Sequence, residues 1–232
     1  MSSVPILPVI TSAANVKPLE ATVAKKVLVA VTGIVLFGFV LIHMVGNIQL
    51  YQGPEKLNHY AELLQSMKPV LWTFRIVLLA AVGVHALFAI LLWLRNRGAR
   101  PVAYENQRFV SATLTSRTMI WSGPLIGLFV VYHILHFTTG TFPPPHFDSH
   151  NVYNNVVYAF QVPGVSIAYI IAMVALGFHL YHGGVSLFQT LGLRTPHDEK
   201  PLKLVLWVIT TIIVVVNISF PLAVLTGLVG LK

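Results

Sequence analysis

Residues 25–50 read KKVLVAVTGIVLFGFVLIHMVGNIQL: two lysines, then twenty-four residues without a charge and with a single histidine, His43. An α-helix rises about 1.5 Å per residue, so about 20 mostly apolar residues cross the roughly 30 Å hydrocarbon core of a bilayer. This segment is long enough, and four more follow it. The spans fall at about 26–50, 70–94, 118–140, 163–190 and 204–231, and apart from the boundary Lys26 only Arg75 puts a charge inside one. A closed β-barrel would need repeated alternating segments of about 10 residues, a pattern the sequence lacks. The expected fold is an all-α membrane protein with five transmembrane helices, in a single domain over 1–232 without internal repeats.

Composition agrees with that reading. The 232 residues are 56% hydrophobic and 9% charged, with a mean hydropathy of +0.76, whereas soluble domains carry roughly a quarter Asp, Glu, Lys and Arg. Disorder, a coiled coil and a soluble nucleic-acid binder are excluded. The absence of cysteine excludes disulfides, zinc–thiolate sites, C-x-x-C-H haem attachment and any iron–sulfur cluster ligated by this chain. The net charge of +8 sorts by side. Lys17, Lys25, Lys26, Arg95, Arg97, Arg100, Arg108, Arg117, Arg194, Lys200 and Lys203 lie on one side of the spans, and Lys56, Lys68 and Lys232 on the other. Positive charge marks the cytoplasmic side, so the N-terminus is expected there and the C-terminus outside. The opening MSSVPILPVITSAAN lacks the basic start of a signal peptide and reads as a tail before a retained first span. Of the two external connections, 51–68 reads as an amphipathic interfacial helix and 141–162, with its three prolines, as a loop at headgroup depth.

Ten histidines are many for so apolar a chain. His43, His85, His133, His136, His179 and His182 fall inside spans, where an imidazole is costly without a partner and points to function. His59, His146, His150 and His197 fall in connections and read as solvated. The first four spans each hold at least one intramembrane histidine and the fifth holds none. By helical rise, His43 and His133 both sit roughly 24 Å from the cytoplasmic boundary, and His85 and His179 about 15 and 22 Å from it. Spans one and three can therefore meet at one level and two and four at another. Two stacked imidazole pairs inside a four-helix bundle suit two bis-histidine haems. Gly33, Gly38, Gly46, Gly83, Gly177, Gly183 and Gly184 would admit a flat macrocycle or, equally, close helix packing. His136 and His182 each follow another histidine by three residues, so spacing alone lets either member of each pair ligate. Arg75 suits a snorkelling anchor, a haem propionate or a quinone carbonyl, and Arg117 an anchor or an inner propionate. The five spans contain no Asp or Glu, so no carboxylate proton wire is visible.

With these residues in place, the chain resembles the cytochrome b membrane-anchor subunit of succinate:quinone oxidoreductases (succinate dehydrogenase and fumarate reductase), of the five-helix, di-haem type. The resemblance covers essentially everything after about residue 20. It is carried by residues 25–51, by LNHYAELLQSMKPVLWTFRIVLLAAVGVHALF (57–88), RNRGARPVAY (95–104), SRTMIWSGPLIGLFVVYHILHFT (116–138) and GFHLYHGGVSLFQTLGL (177–193). It implies two haems b, one ligated by His43 and His133 and the other by His85 and His179. His133 is preferred to His136 because it follows the aromatic Tyr132, and His179 to His182 because it stands twelve residues before Leu191-Gly192. It also implies an iron–sulfur subunit and a flavoprotein with covalent FAD as partners, the tricarboxylic acid cycle as setting and a bacterial cytoplasmic membrane as location. Menaquinone is the expected quinone, reacting near the outer haem, with Arg75, Asn47 and His136 on its side. A higher oligomer of the complex is compatible with this reading. The competing readings are a histidine-bearing transporter and a haemless structural anchor. A di-haem cytochrome with two ligands about 14 residues apart on one helix is not supported, because the closest approach to that spacing pairs His43 with His59 in a connection.

Overall fold

The computed structural model describes residues 21–99, 114–142, 147–195 and 197–231. Every regular element among them is a helix: α1 (Thr22–Asn47), α2 (Pro54–Ser66), α3 (Lys68–Gly98), α4 (Leu114–Phe137), α5 (Val152–Gln161), α6 (Pro163–Thr190) and α7 (Glu199–Leu225). A 3-10 turn over Ile48–Gln52 continues α1. Five of these, α1, α3, α4, α6 and α7, are long and apolar enough to cross a membrane. Among the described residues the chain is thus all-helical, with the length and apolarity of a membrane protein.

Local chemistry sets the helix ends. Pro54, Pro69 and Pro163 stand in the first turns of α2, α3 and α6, where a missing N–H costs no intrahelical bond. The side chain of Asn151 caps α5 by accepting from the Asn154 amide at 3.1 Å, a preferred N-cap arrangement. Beyond α6, Gly192 adopts φ +71°, and the Leu193 amide reaches back to the Phe188 carbonyl at 2.9 Å, closing the helix as a left-handed glycine commonly does. In the turn that follows, the Thr195 hydroxyl and His197 hold the Asp198 carboxyl below its usual range, and Arg194 pairs with Glu199 at 2.9 Å.

The fifth span is shifted from its expected position of 204–231. Its helix starts at Glu199, which puts one carboxylate in the first turn. It stops at Leu225 because Gly227, with φ +75°, turns the chain, and the amide of Val229 then bonds the Ala223 carbonyl at 3.0 Å. The fourth span coincides with its expected 163–190, and the first three differ from expectation by up to four residues at their ends.

Along the ring α3, α1, α6, α4, neighbouring helices pack in the order α3 on α1, α1 on α6 and α6 on α4, with α7 outside on α6. That order leaves α1 opposite α4 and α3 opposite α6. The contact of α6 with α7 is close because glycine permits it. A Cβ on Gly177 would fall 2.5 Å from Val214 Cγ2, and one on Gly184 2.8 Å from Leu206 Cδ2. One end of the bundle is basic, carrying Lys25, Lys26, Arg95, Arg97, Arg117, Arg194, Lys200 and Lys203 among the described residues. Lys17, Arg100, Arg108, His146 and Lys232 lie outside the described residues. On α3, Arg75 lies over the Trp72 ring at 5.1 Å and Arg97 over the Trp93 ring at 5.6 Å. The two tryptophans are twenty-one residues apart, about 31 Å of helix, which matches the hydrocarbon thickness and the aromatic belts at its two faces.

The opposite end is capped, and here one expectation is corrected. The segment 141–162, expected as a loop, contains α5, with Tyr153, Asn155, Val157, Ala159 and Phe160 buried. Ten residues form a marginal helix alone, so tertiary packing holds it. Leu50, Leu57, Tyr169, Phe220, Val224 and Val229 close around it as the largest core of the molecule. The expected helix in 51–68 is present as α2, and Asn58 clasps it to α5. Its Oδ1 accepts from the Tyr153 amide at 2.9 Å and its Nδ2 donates to Asn151 Oδ1 at 3.2 Å.

Gly177→Ala is expected to destabilise the α6–α7 contact by about 1–3 kcal/mol, because the stiff, β-branched Val214 must move. Thermal unfolding in detergent reads this as a lower midpoint.

Candidate functional site

The long helices bring four imidazoles to the bundle interior in two diagonal pairs. The rings of His43 on α1 and His133 on α4 have centres 5.7 Å apart, and those of His85 on α3 and His179 on α6 6.3 Å apart. The pairs lie at two levels. His85 touches Val29 and Thr32 of α1 and lies where a Cβ on Gly33 would meet it at 3.4 Å. Gly33 precedes His43 by ten residues, about 15 Å of rise. On α4, Ser122 touches His179 and precedes His133 by eleven residues, about 16 Å. Two helices therefore give the same separation independently.

Three of the four rings, those of His85, His179 and His133, are held by oxygen. His85 Nδ1 lies 3.1 Å from the Val29 carbonyl and 3.1 Å from Thr32 Oγ1. A carbonyl only accepts, and the Thr32 hydroxyl already donates to the Leu28 carbonyl at 2.7 Å, so the proton of His85 resides on Nδ1. Its Nε2 then keeps the lone pair that a metal requires. His179 Nδ1 faces Ser122 Oγ at 3.4 Å in the same way. His133 Nδ1 lies 3.3 Å from the Tyr169 hydroxyl. His43 stacks on Phe39 with ring centres 5.3 Å apart.

Of the two histidines on α4, His133 is the one whose ring meets His43. His136 is buried, its Nδ1 is 3.1 Å from the same Tyr169 hydroxyl, and it is stacked between Tyr132 and Phe137 at 5.0 and 4.3 Å. On α6, His179 meets His85, while His182 stands about one turn nearer the basic end and is half-buried. His59, His150 and His197 are exposed in the connections, as expected.

Asn47, one turn beyond His43, lines with it a cavity of about 170 Å³ bounded by Leu57, Tyr60 and Leu64. Arg75 is exposed and directed over Trp72 rather than toward a histidine. Ten residues separate it from His85, which puts it at the level of the outer pair, His43 and His133. Arg117 stands five residues before Ser122, about 7.5 Å from the inner level toward the basic end.

Among the described residues, no three His, Asp or Glu side chains come together to hold a metal ion. Each pair therefore offers two nitrogen ligands, too few for a closed tetrahedral zinc site. Two imidazoles are, however, a complete axial set for haem iron, whose other four bonds go to the macrocycle. Two metal–nitrogen bonds of about 2 Å in line set ring centres about 6.4 Å apart; the inner pair has this spacing and the outer pair is slightly tighter. Of the glycines expected to admit a macrocycle, Gly38, Gly83 and Gly183 have nothing within 4 Å of a built Cβ, with Gly83 exposed and about 200° around α3 from His85, whereas Gly46, Gly177 and Gly184 press against Tyr60, Val214 and Leu206. Phe74 and Val77 continue outward the α3 stripe that carries Ala81 and His85, yet both are exposed while Ala81 is buried. The donor set and the ring spacing fit a haem iron in each diagonal.

No protein family matches the chain, and no curated protein or solved structure shows significant similarity to it. The functional reading accordingly rests on the residues and their geometry.

Thr32→Val is expected to cost about 0.5–1.5 kcal/mol by removing one of the two oxygen partners of His85. Thr32→Ser, which keeps the oxygen, should unfold near the unsubstituted midpoint in the same thermal assay.

Proposed function

We propose that the chain is the haem b-binding membrane anchor of a succinate:quinone oxidoreductase, a subunit of succinate dehydrogenase in a bacterial cytoplasmic membrane. In this reading the first four long helices form a di-haem bundle. The observation that carries it is the meeting of two imidazole pairs, one on each diagonal, at the spacing of two axial ligands. Haem b supplies a one-electron centre when bound. His43 and His133 would hold the outer one and His85 and His179 the inner one, each pair kept in its ligating orientation by the oxygen partners described above. The chain itself performs no chemistry on succinate. It links an iron–sulfur subunit, and through that a flavoprotein bearing FAD, to menaquinone in the bilayer.

Several features support the division of labour. The basic end gathers the cations that an acidic docking face would meet, and it is the cytoplasmic end by the positive-inside rule. Clusters ligated by cysteine must belong to a partner, since this chain has no cysteine. Arg75, at the outer level, and Asn47, in the cavity beside His43, are the groups offered to a quinone carbonyl or an outer propionate. Arg117 is offered to an inner propionate. His136 and His182 stand in reserve, because among the described residues it is the rings of His133 and His179 that meet the histidines of the opposite helices.

The visible spectrum of the purified complex tests the proposal. Two haems b per chain, reducible by succinate, are expected. His85→Leu and His179→Leu should each abolish the same spectral component, and His43→Leu and His133→Leu the other. His136→Leu and His182→Leu should retain both. Colourless protein would favour the transporter or the haemless anchor and overturn the proposal.

A further inference from the structure

Tyr169 joins two histidines of one helix through a single hydroxyl. It lies on α6, is 6% exposed, and has ring centres 4.9 Å from Phe129 and 5.1 Å from Phe160. Its hydroxyl is 3.3 Å from His133 Nδ1 and 3.1 Å from His136 Nδ1. A phenol has one proton. To satisfy all three groups in so apolar a surrounding, one imidazole must donate to the oxygen and the other must accept the phenol proton. The tautomers of His133 and His136 are therefore tied in opposite senses. If His133 carries its proton on Nδ1 and donates it to Tyr169, its Nε2 is free to ligate. Tyr169 then donates to His136 Nδ1, and the proton of His136 lies on Nε2.

We propose that Tyr169 is a positioning residue that selects His133 as the α4 ligand and, with His136 behind it, lowers the reduction potential of the outer centre. The inference rests on the reading of His43 and His133 as axial ligands. An oxygen accepting from the remote nitrogen of a ligating imidazole makes that imidazole more basic and favours the oxidised metal. The phenol accepts more strongly when its own proton is donated onward, because bonds in a chain polarise one another. His136 thus acts through Tyr169. Its burial between Tyr132 and Phe137 follows from that role, since a loosely held ring could reverse the chain and place the proton on the ligating nitrogen of His133. Among the described residues the inner pair has hydroxyl and carbonyl partners but no such phenol, which makes it an internal reference within the same molecule.

The test uses the full complex, with haem counted per chain and a redox titration followed at the two b-type absorption bands. Tyr169→Phe keeps the ring that packs against Phe129 and Phe160 and removes only the hydroxyl. We expect both haems to be retained, the outer potential to rise by up to a tenfold change in the reduction equilibrium, about 59 mV for one electron, and the inner potential to stay fixed. His136→Phe keeps a ring between Tyr132 and Phe137 and should raise the outer potential in the same direction by a smaller amount. An unchanged outer potential in Tyr169→Phe, or an equal shift of both centres, overturns the inference while leaving the haem reading intact. If Tyr169→Phe loses the outer haem, His136→Phe decides: a selective upward shift supports the inference and no shift overturns it. Absence of haem from the unsubstituted complex overturns the underlying reading and the inference with it.

Discussion

An imidazole inside an apolar bundle must find an oxygen for its second nitrogen, and much of the architecture here answers that demand. The Val29 carbonyl and the Thr32 hydroxyl serve His85 from α1, Ser122 serves His179 from α4, and Tyr169 serves His133 and His136 from α6. In each case the partner comes from a helix adjacent to the one bearing the histidine, while the facing imidazole comes from the opposite helix. Neighbouring helices orient the rings, and diagonal helices pair them. This separation of duties requires all four helices to be in register, which ties the helix ends to the site.

Packing is distributed accordingly. Within α1, α3, α4 and α6 few residues are buried, and α7, packed on α6, has the largest buried share of the five long helices. The dense core lies at the capped end, where α2, α5 and the returning chain after α7 close over Tyr169 and Phe160. Apolar association drives little helix packing inside a bilayer, so a cap assembled from amphipathic pieces is a natural place to fix the register. Tyr169 belongs to both regions. It is part of the cap core and it touches the outer histidines, so the order of the cap is transmitted to the outer site.

Much of this was legible in the chain. Uncharged runs gave the five long apolar helices, and counting residues from the charged ends put His43 and His133 at one depth, while His85 and His179 came out about 15 and 22 Å from the boundary and are seen to meet only in the structure. The helix in 141–162 was hidden because prolines and asparagines suggest a loop. Its Asn151 is instead a cap, and Asn155 is buried while its side chain exchanges hydrogen bonds with Asp148. A capping asparagine, Asn151, before a short run rich in apolar and aromatic residues was a signal present in the sequence. Tyr169 offered none, since one tyrosine at the start of an apolar span has the pattern of an interfacial anchor.

The sequence by itself determined that five segments are long and apolar enough to span a membrane as helices, because in lipid an uncharged run must satisfy its backbone within its own helix. It also determined which helices carry imidazoles and at what depth, since helical rise converts residue number directly into distance. Only the tertiary structure decided which member of each histidine pair meets the histidine of the opposite helix. Residues three apart on a helix differ by about 60° in direction, less than the uncertainty in the rotation of an isolated helix. That rotation is set by neighbours: by Val214 and Leu206 against the glycines of α6, and by Tyr169 against the two rings of α4.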